Sequence, residues 1–184
     1  MTNYRILSTG NPDKKGIARE LAKEFSNVDF LSVSKGTDLS SQEGQAYFKS
    51  IIKDYNVFVN LSNIQNNTQE KLLTLAHEAG MTGHIFNIGS ICEYRRWEWY
   101  DPKYTAEKRQ LRETSLDLCS EKFKTTHIVI GGFQDYEDDS PSRMDPYEVI
   151  KIIKYVLEAP INIPIIGLEK IIDKEMEEHL NGKI

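Results

Sequence analysis

Short β-branched runs alternate with amphipathic segments along this chain, and that alternation restricts its fold more than any other feature. Strands separated by helices assemble through βα units into a parallel sheet. The pattern predicts strands over 4–8, 28–34, 56–60, 84–88, 126–130 and 161–166. It predicts helices over 16–25, 42–54, 68–79, 104–123, 146–157 and 170–180. After the second strand the pattern shortens, because Thr37-Asp38-Leu39-Ser40 leads directly into the next helix.

At 184 residues with 39% hydrophobic side chains, the chain suffices for one domain with a real core and is too apolar for disorder. Its net charge of −5 and pI near 5.5 argue against a nucleic-acid-binding surface. Only Lys14 and Lys15 form a basic pair beside the first turn. No apolar run approaches the roughly 20 residues of a membrane span, so no membrane partner is expected. Cys92 and Cys119, in a chain that reaches Arg5 without a secretion signal, read as reduced thiols and place the protein in the cytoplasm. The histidines, His77, His84, His127 and His179, show no metal-ligand spacing, and no metal is expected.

Tyr104 and Lys108 stand four residues apart, which puts them on one face of a helix. A lysine ammonium beside a phenol favours the phenolate and moves a group of pKa about 10 toward a useful proton shuttle. Ser90 closes the strand run before this helix and is placed to hydrogen-bond the same substrate oxygen. Tyr147 and Lys151 repeat the spacing, but the run before them is acidic and polar and offers no serine strand, so that pair reads as chance.

Order adds to spacing. A glycine-containing turn follows the first strand, an Asn-rich segment ends a middle strand, the serine strand comes next, and the Tyr/Lys helix follows. Over residues 3–166 this order resembles the short-chain dehydrogenase/reductase family. The resemblance implies a Rossmann-type three-layer α/β/α sandwich with a mostly parallel sheet, its third strand and preceding helix reduced. It implies one dinucleotide-binding domain over 1–184, with 168–184 a C-terminal helical extension.

The same resemblance implies hydride exchange with a small carbonyl or alcohol substrate. Tyr104 would move the proton, Lys108 would lower its pKa and hold the nicotinamide ribose, and Ser90 would orient the substrate oxygen. Asn63, Asn66 and Asn67 are the candidates for the family's catalytic Asn, with Asn63 preferred. Gly10, Asn11, Gly16 and Ile17 take the place of the phosphate-binding turn, although five residues rather than three separate the first two glycine positions and Ala18 replaces the third. Ser34 and Lys35 suit a 2′-phosphate better than a 2′-hydroxyl, so NADP(H) is preferred, with NAD(H) still open. Asp38 and Leu39 resemble the pair that flanks adenine, and Asn60, Leu61 and Ser62 occupy the strand end that lines the cofactor. Gly131-Gly132-Phe133 replaces the usual Pro-Gly, with Phe133 toward the nicotinamide.

Tyr94, Trp97 and Trp99 either wall a substrate pocket or pack on a core or a neighbouring subunit. Residues 134–144 form a lid or a solvated loop. The resemblance also implies that helices 68–79 and 104–123 form a homodimer or higher homo-oligomer interface; Leu111, Ser115, Leu116, Leu118 and Cys119 give the second helix a broad apolar surface, which fits either that interface or a broad core face in a monomer. The competing reading is a noncatalytic dinucleotide-binding or sensor protein on the same fold.

Overall fold

In the computed structural model, residues 4–62, 66–94, 101–132 and 143–168 are described. Their strands are β1 (Ile6–Thr9), β2 (Val28–Leu31), β3 (Val57–Asn60), β4 (Gly83–Ile88), β5 (Phe123–Ile130) and β6 (Ile165–Leu168). The helices are α1 (Ile17–Glu24), α2 (Gln42–Ile51), α3 (Thr68–Glu78), α4 (Pro102–Leu118) and α5 (Tyr147–Glu158). All six strands run parallel in the order β2-β1-β3-β4-β5-β6. The register sets Ile6 beside both Val28 and Val57, and Asn60 beside Asn87.

Side chains leave a strand on alternating faces, and two separate cores follow from that period of two. Ile6, Val57, Val59, Phe86, Ile88, Ile128 and Ile130 bury against Leu21 of α1 and Val149, Ile150 and Ile153 of α5. Leu7, Phe58 and Ile85 face the other way, onto Phe48 of α2, Leu72, Leu73 and Ala76 of α3, and Leu111 of α4. The result is a three-layer Rossmann-type α/β/α sandwich. Among the described residues no strand pairs outside β2, in keeping with the short 37–40 connection. Leu39 enters the second core, and α2 begins at once behind Ser41, whose hydroxyl accepts the Gly44 amide.

Several boundaries differ from the sequence expectation. β1 starts at Ile6, not residue 4. β2 stops at Leu31, and residues 33–35 form a 3-10 turn closed by Gly36 at φ 84, which puts Ser34 and Lys35 on the turn. α4 stops at Leu118, and Phe123 opens an eight-residue β5, 4% exposed in the core. β6 covers Ile165–Leu168 rather than 161–166, because Pro164 has no amide to give the ladder; its carbonyl accepts the His127 amide instead.

The broad apolar surface expected on α4 is largely used within the chain. Leu111 and Ser115 are buried and Leu118 packs against the core, leaving Leu116, 39% exposed, on the outer side. Among the described residues no helix is long and apolar enough to cross a membrane, and no His, Cys, Asp or Glu group could hold a metal ion.

Candidate functional site

Strand order reverses at β1, because β2 lies on one side of it and β3 on the other. In open parallel sheets the crevice at such a reversal, beyond the carboxyl ends of the strands, is where ligands bind. Here those ends are tied together by the Leu61 amide, which donates to Thr9 Oγ1 at 2.7 Å.

The turn after β1 takes its shape from two glycines. Gly10 sits at φ 111, and a Cβ there would approach Ala18 at 3.3 Å, so Ala18 packs α1 close against the turn. Gly16 caps α1 at φ 142, with nothing within 4 Å of where its Cβ would be. Among the described residues no side chain caps this helix start, and the amides of a first helical turn have no intrahelical acceptor, the arrangement that attracts a phosphate. Ile17 is a core residue and can offer such a ligand only its backbone. Asn11 folds the turn by accepting the Asp13 amide at 2.9 Å.

On the neighbouring turn, Ser34 Oγ lies 2.9 Å from Ser32 Oγ, and Lys35 pairs with Asp13 at 3.0 Å. Lys35 thus reaches the glycine turn from the next strand. The Asp38 carboxylate accepts the Ser40 hydroxyl and amide, which holds it below the usual carboxylate range. Leu39 is only 2% exposed, with its side chain in the core.

At the end of β3 a buried polar network leads to the Tyr/Lys helix. Asn60 donates to the Gln69 carbonyl at 2.9 Å and to Asn87 Oδ1 at 3.0 Å. Gln69, in the first turn of α3, returns its amide to the Asn60 carbonyl at 2.8 Å and to the Ile88 carbonyl at 3.1 Å. Its side-chain oxygen accepts from Lys108 Nζ, which also donates to the Ile88 carbonyl at 3.0 Å. Lys108 is therefore anchored to α3 and to the end of the serine strand. Burial pushes its ammonium down to about 8, against the opposing pull of Glu93, Cys92 and Glu107.

Tyr104 and Lys108 share a face of α4, with Nζ 5.4 Å from the ring centre. Both line a cavity of about 250 Å³ together with Ser62, Asn67, Gln69 and Glu107. Ser62 Oγ and Asn67 Oδ1 are buried there without hydrogen-bond partners. Asn66 and Asn67 take left-handed φ values of 69 and 56, a conformation that Asn tolerates better than most residues. The Asn66 side chain accepts from Lys103 Nζ at 3.0 Å and its amide donates to Glu107 at 3.2 Å, fastening the start of α3 to α4.

Ser90 stands apart from the lining of this cavity. It is half-buried at the end of the strand that holds Lys108, and its hydroxyl accepts the Cys92 amide at 3.4 Å. Tyr94 is 55% exposed, with the Arg112 guanidinium 5.0 Å from its ring centre. Asn63, Trp97, Trp99 and Phe133 lie outside the described residues, as do residues 134–142 of the expected lid and the whole of the 170–180 helix.

The second Tyr/Lys pair shows what spacing alone delivers. Lys151 Nζ lies 5.6 Å from the Tyr147 ring centre, nearly the same separation, but it is exposed and its pKa is raised by the hydrogen bond to Glu148. Tyr147 donates to Glu24 at 3.1 Å and ties α5 to α1. Burial, not spacing, distinguishes Lys108.

Gln69 is the residue that sequence reasoning passed over. A glutamine in a first helical turn reads as an ordinary solvated residue, and only the packing of α3 beneath Lys108 gives it a role.

A nicotinamide dinucleotide fits the residues present. The open N-terminus of α1 suits a pyrophosphate, and the unpartnered Ser62 and Asn67 oxygens offer polar contacts near Tyr104 and Lys108.

No protein-family model matches the chain, and no curated protein matches it in sequence. Solved structures do. An oxidoreductase (short chain dehydrogenase/reductase) from Brucella ovis is 16% identical with a TM-score of 0.65, over 90% of this chain and 99% of that one. A short chain dehydrogenase from Burkholderia cenocepacia J2315, in complex with NADP, is 13% identical with a TM-score of 0.66, over 98% and 92%. A Brucella ovis oxidoreductase of the same family, with a partially ordered NAD, is 15% identical with a TM-score of 0.63, over 91% and 100%. Through six parallel strands and an order that reverses at β1, this chain has the fold of the short-chain dehydrogenases/reductases.

Proposed function

We propose that the chain is an NAD(P)-dependent oxidoreductase acting on a small carbonyl or alcohol, with NADP(H) preferred over NAD(H). The observation that carries this reading is the buried Lys108 beside Tyr104 at the edge of a cavity on the carboxyl side of the sheet. When bound, the cofactor supplies or takes up the hydride. The remaining tasks fall to side chains. The Tyr104 hydroxyl gives its proton to the substrate oxygen during reduction, or takes one during oxidation, and Lys108 opposes the negative charge left on the phenolate. Gln69 keeps the ammonium in place. Ser90, two residues beyond the carbonyl that accepts from Lys108, orients the substrate oxygen.

The other reading, a noncatalytic dinucleotide-binding protein, draws on Ser90, whose hydroxyl caps its own turn and is not part of the cavity lining. One series of measurements separates the two. Titration with NADPH and NADH, followed through Trp97 and Trp99 fluorescence, tests binding, and a panel of aldehydes, ketones and their alcohols tests turnover. Tyr104→Phe should lower kcat by roughly 10²- to 10⁴-fold and leave the cofactor Kd within about twofold. Binding without turnover across the panel would favour the noncatalytic reading. Failure to bind either nucleotide would sink both.

A further inference from the structure

One buried acid lies outside the cavity lining and touches three elements around the proposed site: the Ser90 turn, β5 and α4. Glu93 closes the short 3-10 turn after Ser90, and its side chain is fully buried. Its Oε1 accepts the Ser90 amide at 2.8 Å. Both carboxylate oxygens lie 3.0 Å from Nε2 of His127, itself fully buried in the middle of β5. From α4, Arg109 Nε donates to the Glu93 carbonyl at 2.8 Å, and Arg112 stands 3.7 Å from the carboxylate.

The His127 ring depends on this carboxylate, because its Nδ1 is buried with no hydrogen-bond partner. Space is closed as well. A Cβ on Gly89 would come within 2.2 Å of His127 Nε2 and 2.4 Å of Glu93 Oε1. Gly89 is therefore required for the acid and the imidazole to meet beneath the serine turn.

Resting on the oxidoreductase reading, we propose that Glu93 is a positioning residue, a latch that fixes the Ser90 turn to the Tyr104/Lys108 helix and sets the electrostatic environment of Lys108. The mechanical half follows from the contacts. Glu93 joins the turn after β4, the body of β5 and two arginines of α4, one and four residues past Lys108. Besides these contacts, the Lys108 bond to the Ile88 carbonyl and the Arg112 guanidinium over the Tyr94 ring also join this region to α4. The electrostatic half follows from charge. Lys108 Nζ bonds the Ile88 carbonyl, two residues before the Ser90 amide that Glu93 accepts, and besides its neutral partner Gln69 and the Tyr104 ring the groups whose charge favours its ammonium are Glu93, Cys92 and Glu107. Among the charges that favour the ammonium, Glu93 acts most strongly, against the larger effect of burial. A buried carboxylate acts at such range because little water screens it.

Cys92 reports on the latch directly. It sits in the same turn, is fully buried, and donates its amide to Ser90. In a Cys119→Ser background it is the one remaining thiol of the two in the chain. Glu93→Ala, which removes the latch, and Gly89→Ala, which wedges it open, should each speed modification of Cys92 by 5,5′-dithiobis-(2-nitrobenzoate) roughly tenfold or more under native conditions. Glu93→Gln keeps an oxygen for the Ser90 amide but loses the charge. It should leave Cys92 slow to react while the ¹⁵N ammonium resonance of Lys108, assigned by its loss in Lys108→Arg, titrates at lower pH than in the parent.

Unchanged Cys92 protection in folded Glu93→Ala and Gly89→Ala proteins would overturn the latch. So would a Lys108 midpoint that stays put or rises in Glu93→Gln. Should the first two variants fail to fold, Cys92 modification in Glu93→Asp, which keeps the charge but shortens the reach to the Ser90 amide, decides in their place, and unchanged protection there again overturns the latch. Neither measurement uses nucleotide or substrate, so the latch can fail while the oxidoreductase reading stands, and the reverse. Once turnover is in hand, Glu93→Gln should lower kcat and move its pH profile while the KM for NADPH holds, a split that general loosening of the fold would not produce.

Discussion

Lys35 and Asp13 are paired at 3.0 Å across the mouth of the glycine turn, the lysine from the turn after β2 and the aspartate from the turn after β1. Both side chains are exposed, so the pair itself stabilises the fold by about 1 kcal/mol at most. Its interest lies in competition. A 2′-phosphate bound by Lys35 must draw the ammonium from Asp13, which also repels the anion. Lys35→Ala should weaken NADPH by roughly fivefold, about 1 kcal/mol, and NADH much less. Asp13→Asn should tighten NADPH and leave NADH unmoved. Equal changes for both nucleotides in paired isothermal titrations would remove Lys35 from the specificity argument.

Lys108 makes stability depend on pH. Its folded pKa of about 8 lies below the 10.5 of a free lysine, so between those values the unfolded chain binds the proton and the folded chain does not. Stability therefore rises with pH through this window, and below pH 8 the full cost of the buried ammonium is present, on the order of 3 kcal/mol. Urea denaturation at pH 8 and pH 9.5 should show a gain for the parent that Lys108→Met lacks. The upper limit matters, because Tyr55, pushed up to about 12 mainly by burial and then by Asp29, reverses the trend above pH 10.

His84 acts at the acid end. Its ring stacks on Phe86, with centroids 4.4 Å apart, Nε2 lies 2.8 Å from Thr126 Oγ1, and burial pushes its pKa down to about 4. The unfolded histidine, near 6.5, takes up a proton that the folded one refuses. Stability should fall as pH drops from 6.5 to 4 and level off below, with a contribution on the order of 3 kcal/mol. His84→Gln should flatten that part of the pH–stability curve. The same slope in parent and variant would mean that other groups govern it.

For assembly, we propose a homodimer across α3 and α4, centred on Leu116. Leu116→Glu should dissociate it into a folded 21.2 kDa species. Leu118→Glu should destabilise the chain instead, because Leu118 packs against the core. Sedimentation velocity at micromolar concentration reads both, and a parent that already sediments at 21.2 kDa rules the dimer out.

What the sequence made legible was local. Val57–Asn60 and Gly83–Ile88 announce buried strands by their own side chains, and Tyr104 with Lys108 meet by helical spacing alone. The end of α4 was harder to see, because no glycine or proline follows Leu118 and the apolar pattern continues to Phe123, which belongs to β5. Gln69 and Glu93 were invisible for another reason. Gln69 meets Lys108 across 39 residues, and Glu93 meets His127 across 34, so each acquires its role only when helices and strands have packed. A first-turn glutamine and a capping glutamate look ordinary until then.

The shortened connection after β2 rests on a close approach that leaves its own mark. Gly44, in the first turn of α2, lies so near the Asp38 carbonyl that a Cβ would sit 1.9 Å from the oxygen. To skip a strand, the chain brings loop and helix backbones into direct touch, and only the smallest residue permits it. The Asp38 carbonyl and Gly44 thus set how short this connection can be. Any side chain at 44 would have to push the start of α2 away from the 37–40 segment, so the shortness of the loop and the position of the helix are one constraint, not two.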